Sequence, residues 1–175
     1  MIIRTAEAAD AQGIAEVHVR TWQIAYRDYI SPEYLETLSV RTSTMRWLAS
    51  LADPMQTGAL VAEDGVRIVG WSAFGMNRNG LGIEVGEVFG LYVDPDAWDG
   101  GIGTALLTEA EARLGQTGFG TAILWTLEAN TRTRRFYEAR GWNDDGISES
   151  HPSGAIVVRY SRVLGGRVDP DLRLE

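Results

Sequence analysis

Apolar positions along this 175-residue chain change period several times, and each change marks an element. The run "IIRTA" (Ile2 to Ala6) predicts a short first strand. From Asp10 the spacing turns helical, with Ile14, Val17, His18, Thr21, Trp22 and Ala25 on one face. "SPEYLETLS" predicts a second helix, with Ser31 as N-cap and Pro32 at its first position. "TSTMRWLASLAD" predicts a third, ending before Pro54. In "GALVAEDGVRIVGWSAFG" two apolar runs flank Asp64-Gly65, the signal of a tight hairpin with positive φ. "GIEVGEVFGLYVDP" is a strand stopped at Pro95. A helix over about Gly103 to Leu114 follows, then the strand "TAILWTLE". "NTRTRRFYEARG" is a helix with Gly141 as its C-terminal cap, and "SGAIVVRYSRVL" is a last strand. A hairpin feeding one β-α-β crossover implies an α/β fold: a mixed sheet with helices on both faces. The crossover runs from Leu91-Tyr92-Val93 through the 103–114 helix to Ile123-Leu124-Trp125. With no repeat or linker, residues 1–164 read as one domain and 165–175 as a weakly structured tail.

Composition narrows the picture. At 45% hydrophobic and 23% charged residues the chain is an ordinary globular one, with no apolar run long enough for a membrane span. Its start, "MIIRTAEAAD", lacks a basic segment leading into a long apolar core, so no signal peptide and a cytoplasmic location are expected. Cysteine is absent, which excludes disulfides, thiolate metal sites and a cysteine-bound acyl group. Lysine is absent too; all 16 basic residues are arginine, so no Schiff base can form. The net charge of -8 argues against nucleic acid as a partner.

The stretch "DAWDGGIGTALL" (Asp96 to Leu107) places Gly100, Gly101 and Gly103 where a strand hands over to a helix. The first N–H groups of a helix lack internal partners and carry partial positive charge. With Cβ atoms absent there, an anion can approach those groups directly. An acidic chain needs such local dipoles to hold a phosphate. The same glycines also read as a flexible turn with a glycine N-cap. A Walker loop is excluded, since no Gly-Lys-Ser/Thr occurs. A dinucleotide fold is disfavoured: Leu106 stands where the third glycine of G-x-G-x-x-G belongs. Glu128 does imitate the ribose-binding acid, yet only one β-α-β unit is clear.

"LYVDPDAWDGGIGTALL" resembles the acetyl-CoA-binding motif of the GNAT superfamily of N-acetyltransferases, Q/R-x-x-G-x-G/A at a helix start. Gly101 and Gly103 match, and Trp98 stands where the family usually has Gln or Arg. "LEANTRTRRFYEARGW" (Leu127 to Trp142) resembles the family's C-terminal motif of asparagine, Phe-Tyr, then glycine plus an aromatic. "VRTWQIAYRDYISPEYLETLS" is similar to a bacterial subgroup of the family. The resemblance implies a GNAT-like, mostly antiparallel central sheet. It implies acetyl-CoA as cosubstrate, no metal, and direct transfer to a primary amine in a ternary complex. The acceptor is then a small-molecule amine or a protein N-terminal amine, and a homodimer is common. A binding or regulatory module that holds acyl-CoA without turnover is the alternative.

That chemistry has three demands. The amine must be neutral, whereas a lysine-like ammonium has a pKa of about 10.4. The thioester oxygen needs a hydrogen-bond donor as charge develops. The departing thiolate needs a proton. By resemblance, the backbone of Leu91, Tyr92 and Val93 answers the second demand, and Tyr137 the third; Tyr137 also reads as a packed aromatic. Glu87 is the candidate base. In an unbroken strand it shares a face with Phe89, Leu91 and Val93, and a bulge marked by Gly90 would change that parity. Glu84 or water are the substitutes. Cofactor contacts are expected from Trp98, Asp99, Gly100, Gly101, Ile102, Gly103 and Thr104. Asn130, Arg132, Arg135 and Phe136 join them. Asn130 reads equally as a helix cap, and Arg132, Arg134 and Arg135 as solvated arginines. Trp22, Tyr26 and Tyr29 either line an acceptor pocket or pack the core, and His18 is a core or pocket-wall residue.

Overall fold

The computed structural model describes residues 1–52 and 58–165, so the predicted stop at Pro54 and residues 166–175 of the tail lie outside it. Strands β1 (Ile2–Thr5), β2 (Gly58–Asp64), β3 (Arg67–Met76), β4 (Val85–Val93), β5 (Thr121–Leu127), β6 (Asn143–Ser150) and β7 (Ile156–Val163) form one sheet. Their order is β1-β2-β3-β4-β5-β7-β6. Neighbours pair antiparallel except β4 and β5, which are parallel and joined through a helix. This is the mixed, mostly antiparallel sheet with one β-α-β crossover that the resemblance implies.

Helices cover both faces. On one lie α1 (Ala11–Ala25), α2 (Pro32–Glu36) and α3 (Val40–Leu51); on the other, α4 (Ile102–Gln116) and α5 (Thr131–Glu138). The α4 side packs Ile102, Leu106, Leu107 and Leu114 on Leu60, Val88 and Leu124. The α1 side packs Ile14 and Val17 on Val61, Trp71 and Ala73, with Trp47 and Leu51 of α3 against them. Among the described residues no helix is long and apolar enough to cross a membrane.

Local chemistry accounts for the element ends. Ser31 Oγ accepts the Tyr34 N–H at 3.3 Å and Pro32 opens α2. The third helix starts earlier than its apolar pattern suggests, because Ser39 Oγ caps it by accepting the Thr42 N–H at 3.4 Å. In the β2–β3 hairpin Asp64 pairs with Arg67, and Gly65 has φ +64. Gly65 and Val66 are thus the two turn residues, with positive φ at the first.

The strand β6 has no counterpart in the sequence reading. "NDDGISES" carries one aliphatic residue, Ile147, and is exposed along most of its length. Main-chain pairing to β7, joined by Asp145 accepting from Arg159 Nε at 2.7 Å and from Ser161 Oγ at 2.5 Å, makes it a strand, and such polar pairing leaves no apolar period to read.

The decisive irregularity lies in β4. Ala73 faces Gly90 but Phe74 faces Val88, so Phe89 is an extra residue, a β-bulge. A Cβ on Gly90 would sit 2.9 Å from Trp71 Cη2 and 3.1 Å from Tyr92 Cε2. The bulge turns Phe89 and Tyr92 to the α1 face and Leu91 and Val93 to the α4 face. Glu87 therefore shares a face with Phe89 but not with Leu91 and Val93, which overturns the unbroken-strand parity. Gly90→Ala should destabilise the protein by about 1–3 kcal/mol, since a rigid indole must move. Urea unfolding measures this, and an unchanged midpoint would show that the bulge relaxes freely.

Candidate active site

The parallel pairing of β4 with β5 covers only Val85 to Val88 against Thr121 to Leu124. Beyond the bulge the two strands diverge, while β5 stays paired to β7 as far as Leu127. A cavity of about 690 Å³ occupies the resulting gap. The Asp94 N–H bonds Val69 O at 2.8 Å on the β3 side. Alternation along the strand then turns the N–H and C=O groups of Leu91 and Val93 away from β3 and into the gap. Val93 O there accepts from Trp98 Nε1 at 2.8 Å and from Thr21 Oγ1 at 3.2 Å.

One end of the cavity is the start of α4. The first bond of this helix runs from the Ala105 N–H to Gly101 O at 3.0 Å. The N–H groups of Ile102, Gly103 and Thr104 therefore have no partner within the helix. Gly101 caps it with φ +79, a conformation that costs glycine little, and Asp99 precedes it at φ 62. Both Gly101 and Gly103 line the cavity, with Trp98, Asp99, Ile102 and Thr104; Gly100 does not. Trp98 acts as a strut through its bond to Val93 O. The Arg132 guanidinium lies 4.6 Å from its ring centroid and bonds Asp99 at 2.9 Å.

A cation missed by the sequence reading completes this end. Arg140 bonds Thr104 Oγ1 through Nε and Nη2, bonds Phe136 O at 2.7 Å, and stacks 3.8 Å from the Phe136 centroid. Arg140 and Arg132 line the cavity, whereas Arg135 is exposed outside it. The signal was available: Arg140 directly precedes the Gly141 cap and lies four residues after Phe136 on α5's last turn. Asn130 is buried, and its Oδ1 caps α5 by accepting the Thr133 N–H at 3.1 Å. Its amide nitrogen is then the group left to meet a ligand.

The other end is aromatic. Tyr26, Tyr29, Phe89, Tyr92, Trp125 and Tyr137 all line it. Burial pushes the phenols of Tyr26, Tyr92 and Tyr137 above their ordinary value, and proximity to Tyr92 adds to the rise for the other two. Trp22 stands one layer behind, its ring 4.9 Å from Tyr26, and its buried Nε1 has no hydrogen-bond partner among the described residues. His18 packs among Trp22, Trp71 and Tyr92 at centroid distances of 5.1 to 5.6 Å. Neither Glu87 nor Glu84 lines the cavity. Glu84 is exposed, and Glu87 is buried with both carboxylate oxygens on Arg78.

The gap thus joins strand groups turned away from β3, the helix-start N–H groups of α4 and a phenol-lined end. The model of the acetyltransferase (GNAT) family matches residues 14–142. The chain belongs to the GNAT acetyltransferase family. YuaI, an N-acetyltransferase of Bacillus subtilis, is 30% identical over 138 residues, covering 78% of this chain and 77% of its own length. The PaiA N-acetyltransferase of Thermoplasma acidophilum, solved with coenzyme A, has the same fold. It superimposes with a TM-score of 0.74 at 21% identity, over 90% of this chain and 96% of its own. YncA of Salmonella typhimurium, solved with acetyl-CoA, gives 0.73 at 18% identity over 98% of both chains. As a GNAT protein, the chain is an acyltransferase.

Burial among Trp22, Trp71 and Tyr92, and secondarily Arg46, holds the His18 imidazole down to about 4. The unfolded chain, with an ordinary value of about 6.5, binds that proton more readily. Stability should therefore fall as pH drops from 6.5 toward 4, by on the order of 3 kcal/mol from this residue. NMR titration should place the His18 midpoint near 4, and His18→Phe should flatten that part of the stability curve. A midpoint near 6.5 would contradict the buried, neutral imidazole.

Proposed function

We propose that this chain transfers an acetyl group from acetyl-CoA to a primary amine, by direct attack with both substrates bound together. The observation that carries this reading is the cavity, which runs from three unpaired N–H groups on α4 to the hydroxyl-bearing wall at Tyr137. The residues fit acetyl-CoA. The N–H groups of Ile102, Gly103 and Thr104, with Arg140 and Arg132, suit a pyrophosphate. The Leu91 N–H and C=O and the Val93 N–H, turned away from β3, with the Asn130 amide, suit the amides of a pantetheine arm. The bound cosubstrate supplies an activated thioester.

The chain's own groups then serve the three demands. Backbone N–H groups of the splayed part of β4 donate to the carbonyl oxygen as charge develops on it. Aromatic walls exclude water and favour the neutral amine over the ammonium. A water at the cavity mouth takes the amine's proton, since the carboxylates of Glu87 and Glu84 are not at the cavity. The Tyr137 hydroxyl, kept protonated by burial, donates to the departing sulfur. The acceptor is a small-molecule amine or a protein N-terminal amine, admitted between Tyr26, Tyr29 and Trp125. Action in the cytoplasm follows from the need for acetyl-CoA, and a homodimer suits the exposed outer edge of β6.

Two measurements test the proposal. Gly103→Ala places its Cβ 3.4 Å from Phe136 Cζ, an ordinary contact, so the fold should be as stable or slightly more so. Acetyl-CoA affinity by calorimetry should nevertheless drop at least tenfold, because the methyl group stands where phosphate approaches; equal affinity in both proteins would refute the cradle. Tyr137→Phe should lower kcat by about 10²–10⁴-fold with acetyl-CoA affinity nearly kept. A folded, fully active Phe variant would remove Tyr137 from the mechanism. Tight acetyl-CoA binding with no thiol release across a broad amine panel would favour the non-catalytic binding module.

A further inference from the structure

Glu87 is 1% exposed, and a carboxylate buried that deeply needs partners. All of those found belong to Arg78. Its backbone N–H donates to Oε2 at 2.9 Å, Nη2 to Oε1 at 2.5 Å, and Nε to both oxygens at 3.2 and 3.3 Å. Arg78 begins an exposed turn, residues 78–84, between β3 and β4. The base of that turn is tied separately, by Asn77 Nδ2 to Gly82 O at 2.8 Å and to Val85 O at 2.9 Å.

The turn rests on the cavity. The Arg78 guanidinium lies 4.5 Å from the Phe89 ring centroid, and Asn79 Oδ1 accepts from Trp125 Nε1 at 3.4 Å. Phe89 and Trp125 line the acceptor end, one on β4 and one on β5, on the two sides of the gap. Thus the one buried carboxylate of β4 anchors the residues that back both aromatic walls. A proton acceptor would need a free lone pair and a path to the amine. Glu87 has both oxygens engaged by a guanidinium and stands outside the cavity.

We infer that Glu87 is a positioning residue: it locks Arg78 and the 78–84 turn against Phe89 and Trp125, and so shapes the acceptor site instead of taking the amine's proton. Arg78 is the specificity-determining partner in that lock. The kinetic consequence rests on the acetyl-transfer reading; the structural one does not.

The test has two arms. Every trypsin site in this lysine-free chain is an arginine, and Arg78 lies in an exposed turn. Releasing a charge-assisted tie should raise local opening by about tenfold or more. Glu87→Gln should therefore speed cleavage after Arg78, followed by mass spectrometry, with the other arginine sites cleaved at their original rates. Arg78→Lys keeps a tryptic site on an exposed residue that the core does not need, and should show the same local acceleration. Unchanged cleavage at residue 78 in both variants would overturn the lock, as would uniform acceleration at every site.

In steady-state assays with an acceptor from the amine panel, Glu87→Gln should raise the acceptor KM about tenfold with a smaller change in kcat. The shape of its pH–rate profile should be kept. Arg78→Ala should give the same KM change, the double variant should add nothing further, and Glu87→Asp should recover part of it. A loss of 10²–10⁴-fold in kcat with the acid limb abolished in Glu87→Gln, but not in Arg78→Ala, would make Glu87 the base and overturn the inference. If no amine is acetylated at all, the acetyl-transfer reading falls, and the proteolysis arm still decides the lock.

Discussion

Everything at this site depends on two parallel strands that stay paired for four residues and then part. The divergence leaves strand groups in the protein interior without a partner in the sheet, a condition that costs about 1–3 kcal/mol for each buried group left unmet. The Phe89–Gly90 bulge produces it, and the fit of Gly90 under the Trp71 indole holds the bulge in place. From that single irregularity follow the cavity and the direction of the Leu91 and Val93 groups. The bulge also separates Glu87 from the residues it would have accompanied in a regular strand.

Charge is distributed around the gap to suit opposite needs at its two ends. A chain of net charge -8 repels phosphate at long range, so attraction at the α4 end must be local. Three helix-start N–H groups and the Arg140 and Arg132 guanidinium groups supply it within a few ångströms. The other end is mostly aromatic, with Arg27 and Asp28, 3.8 Å apart, at its exposed rim. Three phenols are held protonated, the His18 imidazole is held uncharged, and Glu87 is sealed with its arginine away from the cavity. On the proposed acetyl-transfer reading, an amine arriving there would leave water for aromatic surface, which disfavours its charged form.

Side chains with two plausible readings were resolved by their surroundings. Asn130 does cap α5 through its oxygen, which leaves its amide nitrogen outside that bond. Trp98 fills the position of a polar family residue but spends its N–H on Val93 O, so it braces the loop. Of the arginines on and just after α5, Arg132 and Arg140 reach the cavity, while Arg134 turns to Tyr160 and Asp144.

Apart from β6, the order of elements, the glycine loop at the head of α4, the Ser31 cap and the Asp64-Gly65 hairpin were legible in the sequence, because each is set by residues within a few positions of one another. Local backbone preference and apolar period carry that information directly. The strand β6 was not legible: it is polar, exposed and held to β7 by main-chain bonds and by Asp145 with Arg159 and Ser161, which leave no apolar period. Nor could spacing say whether Gly90 carried a bulge, since the register of β4 is set by β3, some fifteen residues earlier, and by the bulk of Trp71. The pairing of Glu87 with Arg78 and the approach of Arg140 to Thr104 likewise join segments that meet only once the sheet and α4 are packed. The sequence determined which elements form and which chemistry they carry; tertiary packing decided which of those groups face the gap.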